Sequence, residues 1–201
     1  MSVDAIAAKA EVSVQTLYTH FGSKRGLLLA VIDSIQQDVG LYADFDAVWS
    51  SRDGGTALRR MLEATFRLWH GAWPFISFTE QMRRTDDEIG RYLEEVDGYR
   101  RSNLRSITDR LSLEGRLRPG LDAERAAELA FALSLPSVYE ELAVRRARAF
   151  EEAMGLLVDA AVDAIVDAST APATDPPADW STVLRPASVG FDQDPSNGMA
   201  D

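Results

Sequence analysis

The 201-residue sequence contains no cysteine, which removes disulfide scaffolding, thiolate catalysis and cysteine-based redox sensing and suits a cytoplasmic chain. Histidine occurs only at 20 and 70, too few for a histidine metal cluster. The longest apolar run, Leu27 to Ile32, falls far short of the roughly 20 residues that cross a bilayer. No basic, then apolar, then small-residue leader opens the chain, so secretion and membrane insertion are not expected. Strand alternation, internal repeats, phosphate-cradling glycine loops and nucleophile elbows are also missing. No catalytic residue, metal or cofactor is expected, and the chain is not read as an enzyme.

What is present reads as helix. Hydrophobic residues make up 46% of the chain, enough for a real core. Helices are expected at 3–10, 14–20, 24–48, 56–72, 75–84, 86–114, 122–145 and 148–168. Asp53-Gly54-Gly55, Pro74, Gly115 and Pro119-Gly120 punctuate them, with a capping box at Thr85 and Glu88 and an N-cap at Asp122. From Ser169 onward five of the eight prolines gather among small and acidic residues, the composition of a disordered tail. Trp180, Val183, Leu184 and Phe191 are its sparse apolar exceptions. The expected class is all-α, divided into an N-terminal helix-turn-helix at 1–35, a helical ligand-binding and dimerisation body at 36–168 and the tail at 169–201.

The leading segment is the most specific. Val3, Ile6, Ala7 and Ala10 recur at helical spacing, Glu11-Val12 interrupts them, and Ser13 stands where an oxygen would cap a second helix. Leu17 and Phe21 form that helix's inward face, with Val12 expected to wedge into the corner. Val14, Gln15, Thr16, Tyr18, Thr19 and His20 face out, and Lys24 opens a third helix. Gln15 can pair with a base edge and the Val14 and Thr19 methyls can meet a thymine methyl, whereas Thr16, Tyr18, His20 and Lys24 can reach phosphate oxygens. The net charge of −11 opposes DNA overall, but residues 1–26 carry Lys9, Lys24 and Arg25 against Asp4 and Glu11, a local +1 that leaves −12 elsewhere. Both lysines of the chain lie there, so a local phosphate grip is compatible with a body that stays off the duplex.

The string IAAKAEVSVQTLYTHFGSKRGLLLAV resembles the DNA-binding segment of the tetracycline-repressor (TetR) family of transcriptional regulators, with Thr-Leu-Tyr, His-Phe and the following Lys in register. The resemblance implies base contacts from Val14, Gln15, Tyr18 and Thr19 and phosphate contacts from Ser13, Thr16, Tyr18, His20 and Lys24. It departs from the pattern at Glu11, where the family has glycine; in a left-handed turn glutamate costs about 1 kcal/mol more. Family members also begin with a further helix that closes over Ile6, Leu17 and Phe21. The expectation is a true start upstream of Met1; the alternative is a ligand-binding or heterodimerising module that has lost DNA binding.

The remaining expectations concern the body. Phe66, Trp69, His70 and Trp73 form one aromatic stripe at i, i+3, i+4 and i+7, followed by Phe75 and Phe78 beyond the Pro74 kink. Such a stripe is ordinarily core. Read functionally, it lines a pocket for a small hydrophobic or aromatic effector, with Tyr92, Tyr99 and Phe131 closing it and His70, Glu80 or Gln81 fixing orientation. A rival enzyme reading would recruit Trp69, His70, Glu80 and Arg83 but lacks a nucleophile. Carboxylate runs, including Asp159, Asp163 and Asp167, read as solvated faces. Leu129, Leu133, Val138 and Leu142 at 122–145, with Phe150, Met154, Leu157, Val158, Ala161 and Ile165 at 148–168, are the expected homodimer faces, and a two-fold pair would select a palindromic operator of double-stranded DNA.

Overall fold

The computed structural model describes Ala7, residues 11–23, 26–27, 30–31, 34 and 41–170, with the backbone alone at 41–43. The expected helix at 3–10 (beyond Ala7), most of the span 24–40 with Lys24, and the tail from 171 lie outside the described residues. The described elements are α1 (Val14–Phe21), α2 (Leu41–Trp49), α3 (Gly54–Gly71), α4 (Trp73–Met82), α5 (Asp87–Leu113), α6 (Ala123–Leu133), α7 (Pro136–Tyr139) running into a π-helical turn (Glu140–Arg145), and α8 (Phe150–Ile165). The protein is mostly helical. Among the described residues the one β-type pairing is an isolated antiparallel bridge between Leu117 and Val166.

Caps explain most boundaries. Asp53 and Asp122 each accept a backbone N–H three residues on, from Thr56 and Arg125. At α5 the cap is Asp86, which accepts from Glu88 and Ile89 N–H, not the expected Thr85; that hydroxyl donates back to the Met82 carbonyl. Pro74 begins α4 instead of kinking a helix, because its missing N–H falls in a first turn that has no intrahelical acceptor.

The expected single helix at 122–145 breaks at Ser134. Leu135, held extended (ψ 148°) by the following Pro136, cannot continue α6. The chain resumes as α7 and the π turn, and Ala147 then takes a left-handed φ of 50°. The last helix likewise stops short of 168, at Ile165, because Val166 turns extended and the Asp167 N–H donates to the Arg116 carbonyl across the bridge.

Core formation follows from α3, whose Ala57, Leu58, Met61, Leu62, Ala64, Phe66 and Trp69 are buried between α2, α5 and α8. The proposed dimer faces are largely used here. Leu157, Val158, Ala161 and Ile165 are buried in this one chain, and Leu129, Leu133, Val138, Leu142, Phe150 and Met154 pack half-buried on the same core. α8 has only one core to cover within its own chain, and its apolar side turns inward; what remains outward surrounds Leu156 and Ala160, both exposed.

An ionic staple fixes the turn between α2 and α3. Arg116 Nη1 bonds Asp53 at 2.8 Å, while Arg110, 1% exposed, donates to the Ser51 and Arg52 carbonyls and to Glu114. Burial pushes the Asp53 carboxyl up, but the Thr56 N–H and hydroxyl and the Arg116 guanidinium together outweigh it and hold it below the usual aspartate range. A depressed native pKa contributes stability above the unfolded value, about 4, and loses it as pH falls through the native value. Asp53→Asn is therefore expected to destabilise the fold at neutral pH and to cost progressively less in urea melts run at decreasing pH below about 4.

Candidate DNA interface and effector-binding body

The corner of the leading segment is built as two capped ends around a small apolar seat. Ser13 Oγ accepts the Thr16 N–H at 3.0 Å and lies 2.8 Å from the Thr16 hydroxyl. Gly22, at φ 72°, closes α1 by donating to the Tyr18 carbonyl at 2.8 Å. Ser23 then caps the next helical turn, its Oγ accepting the Gly26 N–H and its carbonyl the Leu27 N–H. Beneath α1 lie Ala7, Leu17 and Leu27, all buried, with Val14, Phe21 and Val31 packed on them.

Seven of the eight expected DNA-facing residues fall within the described structure. Ser13, Gln15, Thr16, Tyr18, Thr19 and His20 are exposed, on one edge of α1. Thr19 donates its hydroxyl to the Gln15 carbonyl at 2.8 Å, which leaves its methyl and the acceptor side of its hydroxyl for other contacts. His20 stands edge-on to Phe21, centroids 4.8 Å apart. Val14 is half-buried and shares its side chain with the apolar seat. Lys24, the eighth, lies outside the described residues.

Val12 does not wedge the corner. It is 38% exposed, and the inner position belongs to Ala7, to whose carbonyl the Val12 N–H donates at 3.0 Å. Glu11 has φ 56°, the left-handed conformation in which glycine is free of the Cβ clash. Glu11→Gly is expected to stabilise the corner by about 0.5–1 kcal/mol, the relieved strain less glycine's extra chain entropy, and to slow amide exchange along α1 about threefold.

In the body, Phe66, Trp69 and Phe131 are buried, and Trp73 is half-buried around Tyr139. His70 Nδ1 lies 2.9 Å from the Tyr139 hydroxyl and its ring stacks on Phe150 at 4.1 Å. Burial raises the Tyr139 phenol, which therefore stays protonated at neutral pH. Phe78 is half-buried on α4, Gln81 is exposed and bonded to Ser77, and Tyr99 is 41% exposed. Phe66, Trp69 and Trp73 are thus part of a packed core with His70 exposed at its edge, and Phe78, Gln81 and Tyr99 stand apart from it. Tyr92 belongs to a separate cluster with Ile89 and Leu93.

A polar network beside the stripe was not anticipated. Arg83 pairs bidentately with Glu80 and also bonds Asp97; Arg100 bonds Asp97 and the Ser134 carbonyl and hydroxyl. Trp69 Nε1 donates to the same Ser134 carbonyl at 3.0 Å. The i, i+3 spacing of Asp97 and Arg100 was the available signal, but it is common on exposed helices. Burial pulls the Arg100 guanidinium down to about 10 against the Asp97 carboxylate beside it, so the group is cationic at neutral pH. Among the described residues no three histidine or carboxylate side chains converge on a metal position, and no helix is long and apolar enough to cross a membrane.

A capped helix with a polar exposed edge thus precedes a helical body. Residues 1–31 match the family model of bacterial regulatory proteins of the tetR family. The fold is similar to a TetR-family transcriptional regulator from Rhodococcus sp., with TM-score 0.58, 19% identity and coverage of 83% of this chain and 88% of that one. It is also similar to the ketosteroid transcriptional regulator KstR2 of Mycobacterium tuberculosis (0.57, 18%, covering 83% and 85%) and to a TetR transcription regulator from Haloarcula marismortui (0.56, 16%, covering 83% and 88%). No curated protein matches the sequence. The match to the family thus covers residues 1–31, and the likeness to the solved regulators is one of fold.

Proposed function

We propose that the protein is a cytoplasmic, ligand-responsive repressor that binds a palindromic operator as a homodimer and leaves it when a small hydrophobic or aromatic effector enters the body. The observation that carries the reading is the edge of α1, polar and exposed from Ser13 to His20 over a buried Leu17. Gln15 and the Thr19 methyl meet base edges, Tyr18 serves base and phosphate, and Val14 contributes at most a methyl contact. Ser13, Thr16, His20 and Lys24 hold phosphates. Two chains meet through the outward side of α8 around Leu156, which sets two reading edges about one duplex turn apart.

The effector enters by parting the packed rings of Phe66, Trp69, Trp73 and Phe131, and its hydrophobic class is in keeping with one similar fold being a ketosteroid regulator. α3 supplies the connection: one end carries Trp69, while Arg67 pairs bidentately with Asp44 and Arg60 bonds the Ala47 carbonyl, tying α3 to α2. Release depends on the difference in effector affinity between the two head spacings, about 1.4 kcal/mol for each tenfold loss of DNA binding.

The test is fluorescence anisotropy on DNA flanking the protein's own coding region. Lys24→Ala is expected to weaken all sequences alike and to lower the salt slope by about 1 per subunit. Gln15→Ala is expected to cost about 1–3 kcal/mol on the operator and to relax preference at one position. A uniform loss would contradict base reading by Gln15. Failure of both this chain and an upstream-extended form to bind any DNA would favour the module that regulates through another partner.

A further inference from the structure

We propose that residues 136–149 form a strap over the rings of Phe66 and Trp73 that opens as one unit, and that two ion pairs spaced for a π turn set how often it opens. The inference goes beyond the effector reading, since the strap opens with or without a ligand.

Two backbone breaks bound the strap. It starts after Leu135, extended at ψ 148°, and its far end holds Ala147, whose φ of 50° is left-handed although the residue has a Cβ. Both flanks are fixed: the Ser134 carbonyl accepts from Trp69 and Arg100, and the Phe150 ring stacks on His70. Between them the hold on the body is narrow. Tyr139 lies against Phe66 and Trp73, at centroid distances of 6.5 and 5.2 Å, and its hydroxyl pairs with His70 at 2.9 Å. Val138, Leu142 and Ala143 pack half-buried on the same core, whereas residues 144–149 are all exposed. A segment with few buried contacts between two fixed ends opens locally while the rest stays folded. Opening bares one side of Phe66 and Trp73, rings that are packed while the strap is shut.

The π turn explains what keeps it shut. Its closing backbone bonds are long, from the Arg146 N–H to the Glu141 carbonyl at 3.2 Å and from the Arg148 N–H to the Leu142 carbonyl at 3.3 Å. Side chains reinforce them: Arg145 donates to Glu140 at 3.3 Å and Arg146 to Glu141 at 2.9 Å, both pairs five residues apart. In an α-helix residues three and four apart meet and those five apart do not, whereas in a π turn residue i+5 stands over residue i. An α turn through the same residues would keep only a Glu141–Arg145 pair, and would bring Arg146, two α turns past Tyr139, onto the core side. The two pairs therefore select the π turn. Their four side chains are between 35% and 65% exposed, so dissolved salt screens them.

The test is amide hydrogen exchange on the full chain at one fixed pH, in about 0.05 and about 0.5 M sodium chloride. Amides of 140–148 are expected to exchange through one shared opening, at least about tenfold more populated than that of the middle of α3, and the added salt is expected to raise it about threefold. Glu140→Gln combined with Glu141→Gln is expected to raise the opening about threefold at low salt and to remove the salt effect. Tyr139→Phe, which removes only the hydroxyl that meets His70, is expected to speed exchange along all of 140–148 alike, by about fivefold, and to leave α3 unchanged. Deleting Val144 puts both pairs four residues apart, the α spacing, and is expected to slow exchange there about tenfold. Protection of 140–148 equal to that of α3, or a salt effect undiminished in the glutamine variant, would overturn the proposal.

Discussion

Replacing Arg110 by alanine is expected to destabilise the body by about 3–5 kcal/mol, because it strands a buried charge in addition to removing bonds. Arg110 Nε donates to Glu114 at 2.7 Å, Nη1 to the Ser51 carbonyl at 2.9 Å and Nη2 to the Arg52 carbonyl at 2.5 Å. Both Glu114 oxygens also accept the Gly54 N–H at 3.0 Å, so the pair joins the end of α5 to the start of α3. With Arg110 gone, a carboxylate 3% exposed faces one backbone donor, and two carbonyls lose their partner. The midpoint of urea unfolding should fall with the slope unchanged, and the double variant with Glu114→Gln should fall short of additivity by at least about 1 kcal/mol. A loss below about 1 kcal/mol would mean that water replaces the guanidinium at little cost.

Phe66→Ala is expected to cost about 3–5 kcal/mol, the range for removing a fully packed aromatic side chain. Phe66 has no exposed surface, sits in the middle of α3 and stacks on Tyr139 at a centroid distance of 6.5 Å. The size of the loss separates the two readings of the aromatic stripe. A residue that merely lines an open pocket leaves little new cavity when truncated, whereas a core residue leaves a void the size of its ring. The void should also accept a small apolar molecule, so added benzene or indole is expected to recover part of the loss in thermal unfolding.

The polar edge of α1 was legible because it depends on short-range rules. A side-chain cap at Ser13, a glycine stop at Gly22 and outward spacing around Leu17 all lie within about three helical turns, and the structure has them in that arrangement. Val12 stays outside the corner, where Ala7 is the buried residue beside Leu17 and Leu27. The body was less legible. Trp69, Phe131 and Arg100 come together across α3, α5 and α6, and nothing in the spacing of any one helix indicates which neighbour it will meet.

Helical class, α1 with its two ends, and most helix boundaries follow from the sequence alone, since hydrophobic period, caps and breakers act over a few residues. The tertiary structure decided what the apolar faces cover. α8 turns its apolar side inward to this chain's core, the helix expected at 122–145 ends where Pro136 forces Leu135 extended, and two arginines meet over Phe131. Burial and ion pairing are relations between segments far apart in sequence, and only the packed chain makes them definite.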